Sequence, residues 1–213
     1  MKITDVRCYH LSYPLQEAFA NSRTWVHHRT AHVVEIHTDS GHIGWGEGMA
    51  RLPQEAIKTH LLGRDPFDSR RIWLDLAEHG WGNIAAISAV DIALWDLRGK
   101  ALELPIYQLL GGASRHRIPA YASGLFRRER ADNTAALVEE AQGYADAGFG
   151  AIKMKVGQGI GYDTTNVGAI RQAIGKDILF AVDANCGYDV GTAIAVGRRL
   201  AEHDLYWFEE PVG

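Results

Sequence analysis

The feature that most constrains this chain is a strand–helix alternation that begins after Arg117 and carries charge at its strand ends. Short apolar runs at 118–123, 151–156, 178–184 and 205–210 read as strands. Helical stretches over about 132–147, 163–174 and 190–203 separate them, and Gly148 and Gly175 close the first two. The anchor positions Tyr121, Lys153, Asp183 and Glu209 lie 32, 30 and 26 residues apart, the regular step of repeated βα units. Such alternation predicts a parallel sheet. Strands of that kind are buried on both faces, so charge inside them is costly unless it is used. Sites of βα proteins sit at the carboxyl ends of the strands, where these charges fall.

In the segment KMK, Lys153 and Lys155 flank Met154. A strand has period two, so both ammonium groups share a face and Met154 takes the other. Two adjacent cations depress each other's pKa, which makes one lysine a usable general base. The plainer reading is an edge strand with two snorkelling lysines. Asp183 and Asn185 repeat the spacing on the next strand, and Glu209 ends the one after, before Pro211. Two carboxylates from neighbouring strand ends can bind a hard cation such as Mg²⁺. Taken singly, Asp183 reads as a cap or loop acid and Glu209 as a solvated residue before a turn. Taken together, charged groups at three consecutive strand ends favour the functional reading. Glu210 points away from Glu209 in an extended strand and reads as a loop residue or one that supports a ligand, not as a ligand itself.

Ahead of this block the pattern differs. Residues 2–11, 31–38 and 42–47 read as antiparallel strands, with Asp39-Ser40-Gly41 as a turn. Gly44, Gly46 and Gly48 interleave with Trp45 and Glu47, so backbone approaches something closely there. Helices follow at 53–62 and 66–79, the latter with Pro66 in its first turn after Asp65. The clearest element is a helix over about 84–102, where Ile87, Val90, Leu94, Leu97 and Ala101 make one apolar face and Asn83 serves as N-cap. His27, His28, His32, His37 and His42 cluster early and read as polar positions on exposed strands.

Composition narrows the function. Apolar residues are 46% of the 213, which excludes disorder. The formal net charge of −4 gives no excess of base to neutralise a phosphate backbone, so no nucleic-acid partner is expected. No run of apolar residues approaches 18, so no membrane span is expected. The first ten residues do not read as a signal peptide, and Cys8 and Cys186 make no disulfide framework. A cytoplasmic protein with reduced thiols, assembled as a homo-oligomer, is the expectation.

Three motifs carry a resemblance. The stretch AISAVDIALWDLRGKALELPIYQLLGG at 86–112, VDAN at 182–185 with FEEP at 208–211, and KMK at 153–155 together resemble the mandelate racemase and muconate lactonizing enzyme branch of the enolase superfamily. Phe208 stands where that family more often has an aliphatic residue. The resemblance implies an α/β protein: an α+β capping domain, residues 1–118, then the first half of a TIM-type (β/α) barrel, residues 119–213, with four strands.

It also implies a chemistry. Lys155 would remove the proton next to a substrate carboxylate, and Lys153 would tune its pKa and contact the carboxylate. Asp183 and Glu209 would bind Mg²⁺, which stabilises the enediolate, and Asn185 would touch substrate or a ligand. Phe19, Arg23, Trp25 and Arg51 are candidates for substrate contact from two capping loops, at about 18–26 and 48–53. The substrate would be a small-molecule carboxylic acid. Dehydration, racemization and cycloisomerization remain open outcomes. The segments at 121–132 and 207–212 look closest to acid-sugar dehydratases and aldarolactone cycloisomerases. A closed barrel needs eight strands in roughly 250 residues, so the chain is expected to be part of a longer one. The third metal ligand and any His/Asp pair would then lie beyond Gly213. The rival readings are a truncated or recruited relative that binds or assembles without catalysis, and a general carboxylate-binding domain.

Overall fold

The computed structural model describes residues 1–78, 84–130 and 132–213. Two compact units emerge, one from Met1–Tyr13 with Arg29–His116, the other from Pro14–His28 with Arg117–Gly213. Strands β1 (Ile3–Ala20) and β2 (Trp25–Thr38) contribute to both.

In the first unit, β2 runs antiparallel to β3 (Ile43–Gly48) from His32↔Gly48 to His37↔Ile43. Their turn closes with Gly41 at φ 83°, donating to the Thr38 carbonyl. Helices α1 (Gln54–Leu61), α2 (Ser69–Glu78), α3 (Ile84–Leu102) and α4 (Ile106–Leu109) follow. The helix expected from Pro66 opens as a 3₁₀ turn, Pro66–Asp68, with the Asp65 carboxylate accepting from the Phe67 N–H. Helix α3 matches its expected bounds, and Ile87, Val90, Leu94 and Leu97 are buried on it. Its expected cap, Asn83, lies outside the described residues.

Period two meets a helix repeat between β3 and α3. A Cβ on Gly44, Gly46 or Gly48 would run into the carbonyl oxygens of Ala93, Ala89 and Ala85 in turn. Glycines two apart on the strand thus face alanines four apart on the helix, and the two backbones touch. This is the close approach that the glycine spacing predicts.

The second unit holds the parallel sheet, in the order β4-β6-β7-β8. Its strands are β4 (Ala122–Ser123), β6 (Ala151–Lys155), β7 (Leu179–Asp183) and β8 (Phe208–Glu209). The short strand β5 (Arg127–Arg128), unexpected from sequence, pairs antiparallel with Phe19 and Ala20. Helices α5 (Asn133–Asp146), α6 (Ile160–Ile174) and α7 (Val190–Leu200) alternate with the strands. Asp132 and Asp189 cap α5 and α7 through side-chain oxygens. Ile152, Met154, Phe180 and Val182 belong to the core that the helices cover.

Two strands are shorter than their apolar runs. Pairing of β4 with β6 begins only at Ala122↔Ile152, and Ile118 is left exposed. β8 pairs only through Phe208 and Glu209. Apolar character marks burial propensity, whereas strand length follows from how many residues find a ladder partner.

Candidate active site

The sheet register assembles the site. Lys155 pairs with Asp183, and Asp183 pairs with Glu209, so three charged residues stand in one row at the carboxyl ends of adjacent strands. Lys153 lies two residues before Lys155 on the same face, while Met154 is buried on the other. The Lys155 ammonium donates to Asp183 Oδ2 at 2.5 Å. Lys153 Nζ is 2.8 Å from Glu209 Oε2 and 3.5 Å from Asp183 Oδ2, so it bridges the two carboxylates.

Aromatic rings line the row. Lys153 Nζ lies 5.5 Å from the centroid of the Tyr121 ring, and Lys155 Nζ 5.7 Å from that of Phe126. Trp207 donates its indole N–H to Glu209 Oε2 at 3.0 Å and stands edge-on to Tyr121. Trp207 is a site residue that sequence reasoning missed. Its spacing of two from Glu209, on a strand, was the signal for a shared face.

Electrostatics follow from this interleaving. Burial would lower the Lys153 pKa, but the Glu209 carboxylate, helped by Asp183, outweighs it and holds the ammonium above its ordinary value. Burial likewise would raise Asp183. The hydrogen bonds from Lys155 and the Asn185 N–H overcome it, leaving the carboxyl below the usual carboxylate range. The expectation that neighbouring cations depress each other is therefore reversed at Lys153, because Glu209 on β8 and Asp183 on β7 both face its ammonium.

Asn185 reaches the row by a route that strand alternation does not give. β7 ends at Asp183, and Asn185 and Cys186 adopt left-handed φ values of 44° and 57°. The Asn185 backbone N–H donates to Asp183 Oδ1 at 2.9 Å. Its side-chain amide donates to Asp183 Oδ2 and to Glu210 Oε2, each at 3.3 Å. Asn185 Oδ1 is buried and accepts no hydrogen bond. Glu210 also has positive φ, 42°, so it turns toward Asn185 instead of alternating away as in a strand.

These groups fit a hard divalent cation. An ammonium that touches both Asp183 and Glu209 marks a place where two carboxylates converge on one positive charge. The unpartnered Asn185 Oδ1 adds a further oxygen without a donor. Oxygen-only donors of this kind suit Mg²⁺, which keeps several waters and takes one or two carboxylates. Among the described residues, no group of three or more His, Cys, Asp or Glu side chains is placed to hold a metal.

The expected substrate-contacting residues divide. Phe19 packs against Phe126 with ring centroids 4.6 Å apart, and Phe126 in turn faces Lys155. Trp25 lies under the Arg127 guanidinium, 5.1 Å from its carbon, beside Tyr162 and Asn133. Arg23 is exposed, with its backbone N–H held by Asn21 Oδ1. Arg51 is an exposed residue of the first unit.

Behind the lysine strand, Asp163 is fully buried at the start of α6. Its carboxylate accepts from the N–H groups of Gly157, Gln158 and Gly159 and from the Tyr188 hydroxyl. It ties down the loop that follows Lys155.

Comparison with known proteins shows what the chain as a whole is similar to. The family model for the mandelate racemase / muconate lactonizing enzyme N-terminal domain matches residues 3–111, and that for the enolase C-terminal domain-like family matches 136–213. D-galactarolactone cycloisomerase of Agrobacterium fabrum is 38% identical over 100% of this chain and 59% of its own length. Arabinonate dehydratase of Saccharolobus solfataricus is 35% identical over 99% of this chain and 61% of its own. The crystal structure of a dipeptide epimerase from Cytophaga hutchinsonii, complexed with Mg and the dipeptide D-Ala-L-Val, superposes with a TM-score of 0.86 at 31% identity, covering 100% of this chain and 60% of that one. The chain thus spans about three fifths of the length of these relatives.

Proposed function

The chain belongs to the mandelate racemase and muconate lactonizing enzyme branch of the enolase superfamily, and from that premise we propose that it removes the proton next to a carboxylate in a Mg²⁺-dependent reaction. The substrate we assign is a sugar acid. The observation that carries the reading is the row Lys155–Asp183–Glu209 with Lys153 bridging its two carboxylates. The relatives named as a galactarolactone cycloisomerase and an arabinonate dehydratase support the substrate class. The Mg in the epimerase complex supports the cation.

In this reading Asp183 and Glu209 hold Mg²⁺. A bound Mg²⁺ supplies Lewis-acid charge where a second negative charge builds on the substrate carboxylate. With both carboxylates so engaged, Lys153 loses the counter-charge that now raises it. Two like charges on one strand face then favour a neutral amine on one of the pair. Lys155, at the strand end, is the base that takes the proton, and Lys153 stays charged against the substrate carboxylate. Asn185 orients Asp183 from one side, and Trp207 orients Glu209 from the other. Phe126 and Phe19 limit water beside Lys155.

Incubation with Mg²⁺ and a panel of sugar acids in D₂O, followed by NMR, tests the proposal. Deuterium at the α-carbon of one acid, or its dehydrated or cyclised product, is the expected result. Folded, Mg²⁺-bound protein that gives neither across the panel would refute it.

A further inference from the structure

One residue outside the row is hydrogen-bonded to the turn that presents Asn185. Positions 184–187 form a tight turn closed by the Gly187 N–H on the Ala184 carbonyl at 2.9 Å. Its two central residues, Asn185 and Cys186, are non-glycine residues with positive φ. Side chains of L-residues hold that conformation only where the surroundings over-determine it. On one side the restraint is the neighbouring strand end: Ala184 N–H donates to the Glu209 carbonyl and Cys186 N–H to that of Glu210.

On the other side stands Ser22. Its hydroxyl donates to the Ala184 carbonyl at 2.5 Å and reaches that of Asn185 at 3.4 Å. Its Cβ fills a socket of bare backbone. A Cβ added to Gly187 would lie 2.6 Å from Ser22 Cβ and 2.8 Å from the Ala184 oxygen, and one on Gly157 would collide with the same serine. Gly157 follows Lys155 by two residues and Gly187 follows Asp183 by four, so one side chain packs against the loops after β6 and β7, two of the three strands of the row. The segment that brings Ser22 is itself braced. Asn21 Oδ1 accepts from the Arg23 and Thr24 N–H groups, and the Asn21 carbonyl accepts from Gln158 Nε2 at 2.8 Å.

We propose that Ser22 is a positioning residue that locks the Ala184–Gly187 turn, and through it Asn185 and Asp183, to the connection at 21–24 between β1 and β2, shorter than the loop expected at 18–26. Occupation of the Asp183–Glu209 site and order in that connection are then thermodynamically coupled, and the coupling runs both ways. That Asn185 serves a reacting site rests on the function proposed above. The lock does not, because its contacts are made among the chain's own residues.

Amide hydrogen exchange read by mass spectrometry tests it, on wild type, Ser22→Ala and Gly187→Ala, each with and without Mg²⁺. Without metal, Ser22→Ala is expected to speed exchange about tenfold at 19–25 and at 184–188 together, as one shared hydrogen bond is lost. Gly187→Ala, altered on the turn side, is expected to speed exchange at 19–25 as well. In wild type, Mg²⁺ is expected to slow exchange at 19–25, and Ser22→Ala to abolish that protection while its melting temperature stays close to wild type. Faster exchange confined to 19–25 in Ser22→Ala, or an unchanged 19–25 in Gly187→Ala, overturns the proposal. If Mg²⁺ fails to bind, the function proposed above is what fails, and the metal-free comparison still decides the lock.

Discussion

The carboxylates beside Lys153 hold it in its charged form, as its proposed contact with a substrate carboxylate requires. Burial pulls its pKa down, yet Glu209 and Asp183 carry it above the ordinary value. In the proposed reaction, a cation held by those carboxylates would take from Lys153 the counter-charge that now raises it. Lys155→Ala is expected to cut α-proton exchange by about 10²- to 10⁴-fold with the circular dichroism spectrum intact; exchange at the wild-type rate would remove Lys155 from its role. Asp163 is a different kind of carboxylate. Burial raises its pKa, and the hydrogen bonds from the Tyr188 hydroxyl and three backbone N–H groups offset that rise only in part. An amide there aims a donor at groups that already donate. Asp163→Asn is expected to lower stability by about 1–3 kcal/mol in urea unfolding, and an unchanged midpoint would contradict the role of this network.

At the scale of elements, β3 and α3 meet so closely that the pair tolerates no side chain. Gly46 faces the backbone of Ala89 and Ala93. Gly46→Ala is expected to cost about 3 kcal/mol in thermal unfolding, and a melting temperature equal to wild type would show that the interface yields. Elements with a strong internal period were legible from sequence: α3 through its apolar face, the glycine run through its spacing of two, and Lys153 with Lys155 through strand alternation. Elements defined by a partner were not. β4 and β8 stop where the ladder stops, and β5 exists because Phe19 and Ala20, over a hundred residues earlier, pair with it. Asn185 illustrates the same limit at the site. Spacing of two placed it beside Asp183, but a left-handed turn brings it there. The Ser22 contact spans 162 residues, and its trace in the sequence was the placement of Gly157 and Gly187 just past the two strand ends.

For the whole molecule, the near balance of 22 basic and 26 acidic residues hides local concentration of charge. In the second unit Glu17 takes Arg130 through both carboxylate oxygens and Arg128 through one. Arg130 holds the Glu17 carboxyl below its usual range. A depressed carboxyl stabilises the fold above its unfolded pKa of about 4.3, and that contribution fades as pH falls through the folded value. Glu17→Gln is expected to flatten part of the stability loss below about pH 4, and salt is expected to shrink the difference because the pair is exposed. An acid-unfolding curve unchanged by the substitution would show the pair to be inert. No helix among the described residues is long and apolar enough to cross a membrane.

Asp183 and Glu209 are proposed above as a cation site, and the ammonium groups of Lys153 and Lys155 contact the same carboxylate oxygens. Calorimetric titration with Mg²⁺ tests it most directly, on wild type, Asp183→Ala and Lys155→Ala. Wild type is expected to bind, Asp183→Ala to lose about a hundredfold or more in affinity, and Lys155→Ala to bind as tightly as wild type or tighter, since an ammonium no longer competes for Asp183 Oδ2. Equal Mg²⁺ affinity in wild type and Asp183→Ala would contradict the account.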